Sequence, residues 1–202
     1  MNYHSIPITK ESYLSGQSAY LYCLAAAEAT LDQQIDFSPH LSMVSFLYDS
    51  AVFRQRGVQY GISKQTLNRF EDTFFSPITL TSNFIVMMSP KAWLFLNEWF
   101  IKEKLPTRTR TTYTRVYLYF YYWTVAHRRG QYSRPFNQIV ADLAIRNNNL
   151  TEAINWLCGH KLLFHSTYTF NNEENRARTY YIPPGLWPEN VSERLIEQRR
   201  AE

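Results

Sequence analysis

Two stretches of this chain place amide, hydroxyl and guanidinium side chains on the polar side of a helical pattern. The C-terminal set is Asn148, Thr151 and Asn155. The N-terminal set is Gln65, Asn68 and Arg69. Asn, Gln and Arg form paired hydrogen bonds with purine edges in the major groove of DNA, so both sets are candidates for reading bases. A polar helix face is as often only solvated, and this alternative stays open.

The C-terminal set lies on the second helix of a predicted helix, turn and helix. Asn137 is the predicted cap of the first helix, and residues 146–149 form the turn, because short amide side chains satisfy local backbone groups. The inward face of the second helix repeats at helical spacing and comprises Leu150, Ala153, Ile154 and Leu157. Glu152 shares the outward face, where it accepts from a cytosine amino group or repels a phosphate.

After Leu163 the sequence period changes from helical to alternating. FHSTYTF and ARTYYIP lie on either side of NNEEN, which predicts a hairpin with an Asn-rich tip. Arg176 and Arg178 fall on one face of its return strand. This order of helix, turn, helix and hairpin resembles the winged-helix family. The resemblance implies that the second helix enters a DNA groove and that the hairpin lies along the phosphates.

A shorter pattern of the same order occurs in the first half of the chain. Ser63 caps a helix in which Leu67, Phe70 and Phe74 face inward, and ITLT and FIVMM follow as a candidate hairpin. We therefore predict an α+β fold, mainly α with small β-hairpin wings, built as two tandem winged-helix-like units. Such a pair is similar in architecture to the replication initiators of plasmids, and a transcriptional regulator of the same build is an equal alternative.

The chain divides into two predicted units and a tail. Pro106 ends the helix before the boundary, since proline cannot continue a helical pattern. Residues 1–105 form an N-terminal unit for dimerisation or DNA binding. Residues 106–188 form a C-terminal DNA-binding unit, and residues 189–202 form a tail helix. The tail docks on its own unit or pairs with a second copy of the chain.

Three segments between these helices are predicted to be irregular. Residues 1–10 form an arm, RQRGVQYG interrupts the first half with two glycines, and residues 107–115 link the units. A nearly all-apolar helix, RVYLYFYYWTVAH, follows and is buried on several sides, so the two units form one rigid body. Its tyrosines are core residues rather than a stacking platform for single strands.

Positive charge is concentrated in the second half of the chain. Residues 1–100 hold six Lys and Arg against eight Asp and Glu, whereas residues 101–202 hold fifteen against nine. A phosphate-binding surface requires such a local excess, because each neutralised phosphate releases counterions. The candidates for phosphate contact are Arg108, Arg110, Arg115, Arg128, Arg129, Arg134, Arg176 and Arg178.

Several function classes lack a motif in this sequence. The two cysteines give no disulfide framework and favour a reducing, cytoplasmic setting. No apolar run reaches the about 20 residues that cross a bilayer. Cys158, His160 and His165 lack a fourth ligand at the spacing of a zinc site, and no phosphate loop or nucleophile motif is present. We expect no metal, no cofactor, no membrane contact and no enzymatic activity.

Together these patterns predict a sequence-specific double-stranded DNA-binding protein, acting as a transcriptional regulator or a plasmid-type replication initiator. Its partners would be duplex DNA and a second copy of the chain. The alternative is a non-catalytic protein-interaction module that uses the same units for assembly. The acidic first half and the abundance of aromatic residues favour that alternative.

Overall fold

A computed structural model describes residues 6–8, 13, 19–27, 50–74, 86–126, 130–167 and 177–187. Its helices are α1 (Ala19–Ala27), α2 (Ser50–Gln59), α3 (Lys64–Phe74), α4 (Pro90–Lys102), α5 (Thr107–Ala126), α6 (Phe136–Leu143) and α7 (Asn147–Gly159). Its strands are β1 (Ile6–Ile8), β2 (Val86–Met88), β3 (Tyr132–Pro135), β4 (Phe164–Thr167) and β5 (Ala177–Tyr181). The described part is mainly helical with small antiparallel sheets, so the predicted α+β class is confirmed.

The larger sheet has three antiparallel strands in the order β3, β5, β4. The predicted hairpin is confirmed in its two strands, with Phe164 opposite Tyr181 and Ser166 opposite Thr179. Its Asn-rich tip lies outside the described residues. The sequence did not predict β3, because four residues ending in proline are too short for an alternating pattern to be recognised.

The smaller sheet pairs β1 with β2. Residues 6–8 belong to the segment that was predicted to be an irregular arm, so that prediction is wrong for these residues. The strand expected within FIVMM is present as β2, and its partner is β1. The other half of the predicted first hairpin lies outside the described residues, as do the predicted tail helix and the residues on either side of α1.

Helix α5 is the centre of the molecule. It runs for 20 residues from Thr107, so the predicted linker at residues 107–115 is wrong. The cause is burial, since Arg110 and Thr114 are enclosed together with the aromatic residues that follow them. The helix packs against α1 on one side and against α7 and β5 on the other, which places one continuous core across both halves.

Gly57 lies inside α2 and does not interrupt it, contrary to the sequence prediction. A Cβ atom at this position would lie 2.5 Å from Cδ2 of Leu67 on α3, so the missing side chain permits close contact between the two helices. The turn instead occurs at Gly61, whose φ of +74° is a left-handed conformation that suits glycine.

Helices α6 and α7 form the expected helix, turn and helix, with shifted boundaries. The residue before α6 is Pro135, so Asn137 is in the first turn of the helix rather than at its cap. The C-cap of α6 is Ala144, whose φ is +49°, and Arg146 is the N-cap of α7. Residues 147–149 are therefore the first turn of α7 rather than part of the connecting turn.

Candidate nucleic-acid interface

The outermost stripe of α7 consists of Asn148, Thr151 and Asn155, and all three side chains are exposed as predicted. The opposite face is buried, with exposures of 0–1%, and comprises Leu150, Ala153, Ile154 and Leu157. Within the described part of the chain, no hydrogen bond engages the three outer side chains. Their amide and hydroxyl groups are therefore available to a ligand.

A second stripe of α7 faces the corner between α4 and α5. Its first two members, Asn149 and Glu152, line a polar cleft of about 210 Å³ with Arg108, Thr109, Thr112 and Tyr113 of α5. Burial raises the pKa of Tyr113, and the charge of Glu152 raises it further. Glu152 was expected to share the outward face with Asn148, Thr151 and Asn155. It instead lines this cleft together with Arg108.

Cationic side chains lie at both ends of α7. Arg146 at its N-cap and Lys161 after its C-terminal end are exposed. Arg178 on β5 is half-buried, and its charge opposes the rise that burial causes in the pKa of Cys158 near the end of α7. With a rise of about 1.5 Å per residue, the two ends are roughly 20 Å apart. An amide-rich helix face is thus flanked by positive charge.

Arg110 is not available for phosphate contact, so this prediction is wrong. Its side chain is only 6% exposed. Its Nε donates to the carbonyl oxygen of Leu105 at 2.7 Å, and its Nη1 donates to that of Tyr60 at 2.8 Å and to the Tyr20 hydroxyl at 3.3 Å. Arg110 therefore cross-links α1, the end of α2 and the start of α5.

Arg115 also makes its hydrogen bonds inside the molecule, contrary to the predicted phosphate contact. Its Nε donates to the carbonyl oxygen of Tyr13 at 2.8 Å, and its Nη2 donates to that of Leu143 at 2.6 Å. Burial lowers the pKa of this guanidinium. Arg115 connects the N-terminal segment to the end of α6.

The remaining candidate arginines differ in their surroundings. Arg134 pairs with Asp142 at 3.2 Å, and the hydrogen bond to this carboxylate raises its pKa, so its charge is largely offset. Arg108 is exposed at the mouth of the polar cleft. The predicted phosphate contacts that lie outside the described residues are Arg128, Arg129 and Arg176.

The N-terminal set lies on α3, which begins where the sequence indicated. Ser63 Oγ accepts a hydrogen bond from the backbone N–H of Thr66 at 3.2 Å, which is the expected N-cap. Gln65, Asn68 and Arg69 are exposed. Asn68 also lines an open groove of about 530 Å³ between α2 and α3. This set therefore forms a second exposed polar face, far along the chain from the first.

Sequence reasoning missed a cluster between α4 and α7. The two carboxylate oxygens of Glu103 accept hydrogen bonds from Trp156 Nε1 and from His160 Nε2, each at 2.7 Å. The Trp156 bond is the main reason that the pKa of Glu103 is lowered. Glu103 and His160 are 57 positions apart, so no local pattern could have paired them. The predicted absence of a metal site at His160 is not tested by this arrangement.

Comparisons with protein families, with curated proteins and with solved structures found no match to this chain. Among the described residues, no helix has both the length and the apolar character needed to cross a membrane.

Proposed function

We propose that this protein binds double-stranded DNA sequence-specifically, with α7 in the major groove. The observation that carries the proposal is the exposed stripe of Asn148, Thr151 and Asn155, whose polar groups have no partner within the described part of the chain. The element order α5, β3, α6, α7, β4, β5 supports it, because a winged-helix unit presents its second paired helix to a groove in the same way.

The spacing of the stripe suits successive base pairs. Asn148 and Asn155 are two helical turns apart, which is about 10 Å at 1.5 Å per residue. That distance spans about three base pairs at 3.4 Å each. Asn pairs with the N6 and N7 atoms of adenine, and the Thr151 methyl group between them contacts a thymine methyl. We therefore expect a site that contains A·T pairs.

Positive charge at the ends of α7 fits the phosphates on either side of a groove. Arg146 and Lys161 supply these contacts, and Arg178 extends them onto the hairpin. Such contacts position a protein on DNA without reading its sequence. The process served is gene regulation or plasmid-type replication initiation, as the architectural resemblance implies.

Retention on DNA tests this function directly. We expect the purified protein to bind random duplex DNA weakly and DNA from around its own gene more tightly at low salt. Both affinities fall steeply at moderate salt, because bound phosphates release counterions. An A·T-rich and a G·C-rich duplex of equal length serve as matched probes. No retention of any duplex at low salt would contradict the proposal.

The second candidate function is a protein-interaction module. The groove between α2 and α3 favours it, since the apolar Val58 is 46% exposed there among polar residues. The outward face of α7 also carries no Lys or Arg between its two ends. A dimer whose stability does not depend on salt, together with no DNA retention, would support this candidate. Sedimentation of the protein at two salt concentrations distinguishes the two functions.

A further inference from the structure

The cluster of Glu103, Trp156 and His160, called the clasp below, joins the ends of two helices. Glu103 is the C-cap of α4, and His160 is the C-cap of α7. Each carboxylate oxygen of Glu103 accepts one hydrogen bond from the α7 side. The clasp therefore ties the proposed recognition helix to the N-terminal half of the chain.

Both ring nitrogens of His160 face oxygen atoms. Nε2 lies 2.7 Å from Glu103 Oε1, and Nδ1 lies 2.7 Å from the carbonyl oxygen of Trp156. A carbonyl oxygen and an ionised carboxylate can only accept hydrogen bonds, whereas neutral imidazole has a single N–H. One of the two contacts would then bring two lone pairs together. The geometry is satisfied only by imidazolium, which donates from both nitrogens.

The surroundings of His160 also suit a cation. Its ring lies 4.4 Å from that of Trp99 and 4.2 Å from that of Trp156, and indole rings attract positive charge. The C-terminal end of α7 carries a partial negative charge, which favours a cation at the C-cap. Attraction to the two indole rings and to the helix terminus thus adds to the pairing of imidazolium with Glu103.

We propose that the clasp is a proton-dependent device that holds α7 in its DNA-binding orientation, so that DNA affinity falls as His160 loses its proton. The effect on DNA rests on the proposed function, whereas the clasp itself does not. Trp156 is adjacent to Asn155, so movement of Trp156 displaces the end of the base-reading stripe. Release of the clasp would leave the other end of α7 fixed by the turn from α6.

The sign of the pH dependence follows from the charges around His160. The described groups on the adjoining elements include Glu103, Lys102, whose ammonium lies 4.5 Å from the Trp99 ring, Lys161, and Tyr113 with its neighbour Glu152. The lowered pKa of Glu103 keeps its carboxylate charged throughout the titration range of histidine. The clasp therefore has both of its His160 hydrogen bonds only while the ring is imidazolium, and removal of one proton breaks one of them.

Nitrogen NMR of the native protein tests the protonation state without DNA. We expect both ring nitrogens of His160 to give protonated shifts at pH 6, with the change to the neutral form coupled to a change in Trp156 indole shifts. A single N–H on His160 at pH 6, or an indole signal that does not follow the titration, would overturn the clasp.

Two variants and a matched control test its contribution to folding. His160→Gln and Glu103→Gln should each lower the melting temperature at pH 6 and have a smaller effect at pH 8.5. His165→Gln is the control, because His165 is an exposed histidine on β4 with no carboxylate contact among the described residues. Equal losses at both pH values for His160→Gln, or the same pH dependence in the control, would overturn the proposal.

Measurement of DNA affinity at two pH values separates this inference from the proposed function. For the native protein and His165→Gln, we expect affinity for an A·T-rich duplex to fall by about fivefold or more from pH 6 to pH 8, the scale of a typical coupling between two sites. His160→Gln should bind weakly at both pH values. A pH-independent affinity of the native protein would overturn the coupling. Absence of binding at every pH would contradict the proposed function while the NMR result still decides the clasp.

Discussion

Tyr117 and Tyr121 lie one turn apart in α5 and are both buried, yet their hydroxyl groups have different surroundings. The Tyr121 hydroxyl donates to the carbonyl oxygen of Leu186 at 2.9 Å and accepts from the backbone N–H of Ser89 at 3.1 Å. The Tyr117 hydroxyl has no hydrogen-bond partner in the described part of the chain. An unpaired buried hydroxyl costs about 1–3 kcal/mol.

Replacement of each tyrosine by phenylalanine should therefore have opposite effects. Tyr117→Phe removes an unpaired polar group and should raise the free energy of unfolding by about 1 kcal/mol. Tyr121→Phe leaves two backbone groups unpaired and should lower it by about 1–3 kcal/mol. Urea unfolding of the two variants measures the difference. A loss of stability in Tyr117→Phe would contradict this prediction.

The exposure of individual arginines could not be predicted from the sequence. Arg108 and Arg110 are two residues apart in TRTRT and look equivalent, but one is exposed and the other is buried. The groups that enclose Arg110 belong to Tyr20 and Tyr60, at 90 and 50 positions away. The sequence pattern predicted both arginines in an irregular linker, whereas both lie on α5, and tertiary contact decides which of them meets solvent.

At the scale of elements, α7 and β5 are expected to contribute to DNA binding in different ways. Asn155→Ala should change the preferred base pair at one position, since a good paired contact discriminates by about 1–3 kcal/mol. Arg178→Ala should weaken binding to all sequences equally and reduce the salt slope by about 1. Asn137→Ala is the control, because Asn137 is an exposed asparagine on α6.

Binding selections and salt titrations measure these effects. An unchanged base preference in Asn155→Ala would remove this residue from base reading, and an unchanged salt slope in Arg178→Ala would remove that one from phosphate contact. The same change of preference in Asn137→Ala would indicate a general effect on folding instead.

The elements themselves were predictable where a period extends over several turns or a pair of strands. The buried face of α7, with Leu150 and Leu157 at its ends, follows from spacing alone. Boundaries were less predictable, because Asn suits both a turn and the first turn of a helix. Strand β3 depends on pairing of Tyr132 with Tyr180, 48 positions away, and no local pattern contains that information.

At the scale of the whole molecule, α5 belongs to both halves. Its residues from Val116 to Tyr122 are at most 2% exposed, so the helix is enclosed on every side. Helix α1 covers one of these sides, and α7 and β5 cover others. The predicted boundary between residues 105 and 106 would separate α5 from part of the core that encloses it. The sequence predicted the buried helix. It did not predict that the first nine residues of α5, which include Arg110 and Arg115, connect the two halves of the chain.

Fragments cut at this boundary should therefore fail to fold alone. Residues 106–188 would expose the aromatic side of α5 that α1 covers, and Arg110 would lose its partners at Tyr20 and Tyr60. We expect this fragment to lack a cooperative thermal transition and to bind a hydrophobic dye. Addition of the fragment 1–105 should restore the transition and abolish dye binding, because the buried surfaces are complementary. A dispersed amide spectrum and cooperative unfolding of 106–188 by itself would instead establish an independent domain, and α5 would then owe its stability to α7 and the three-stranded sheet.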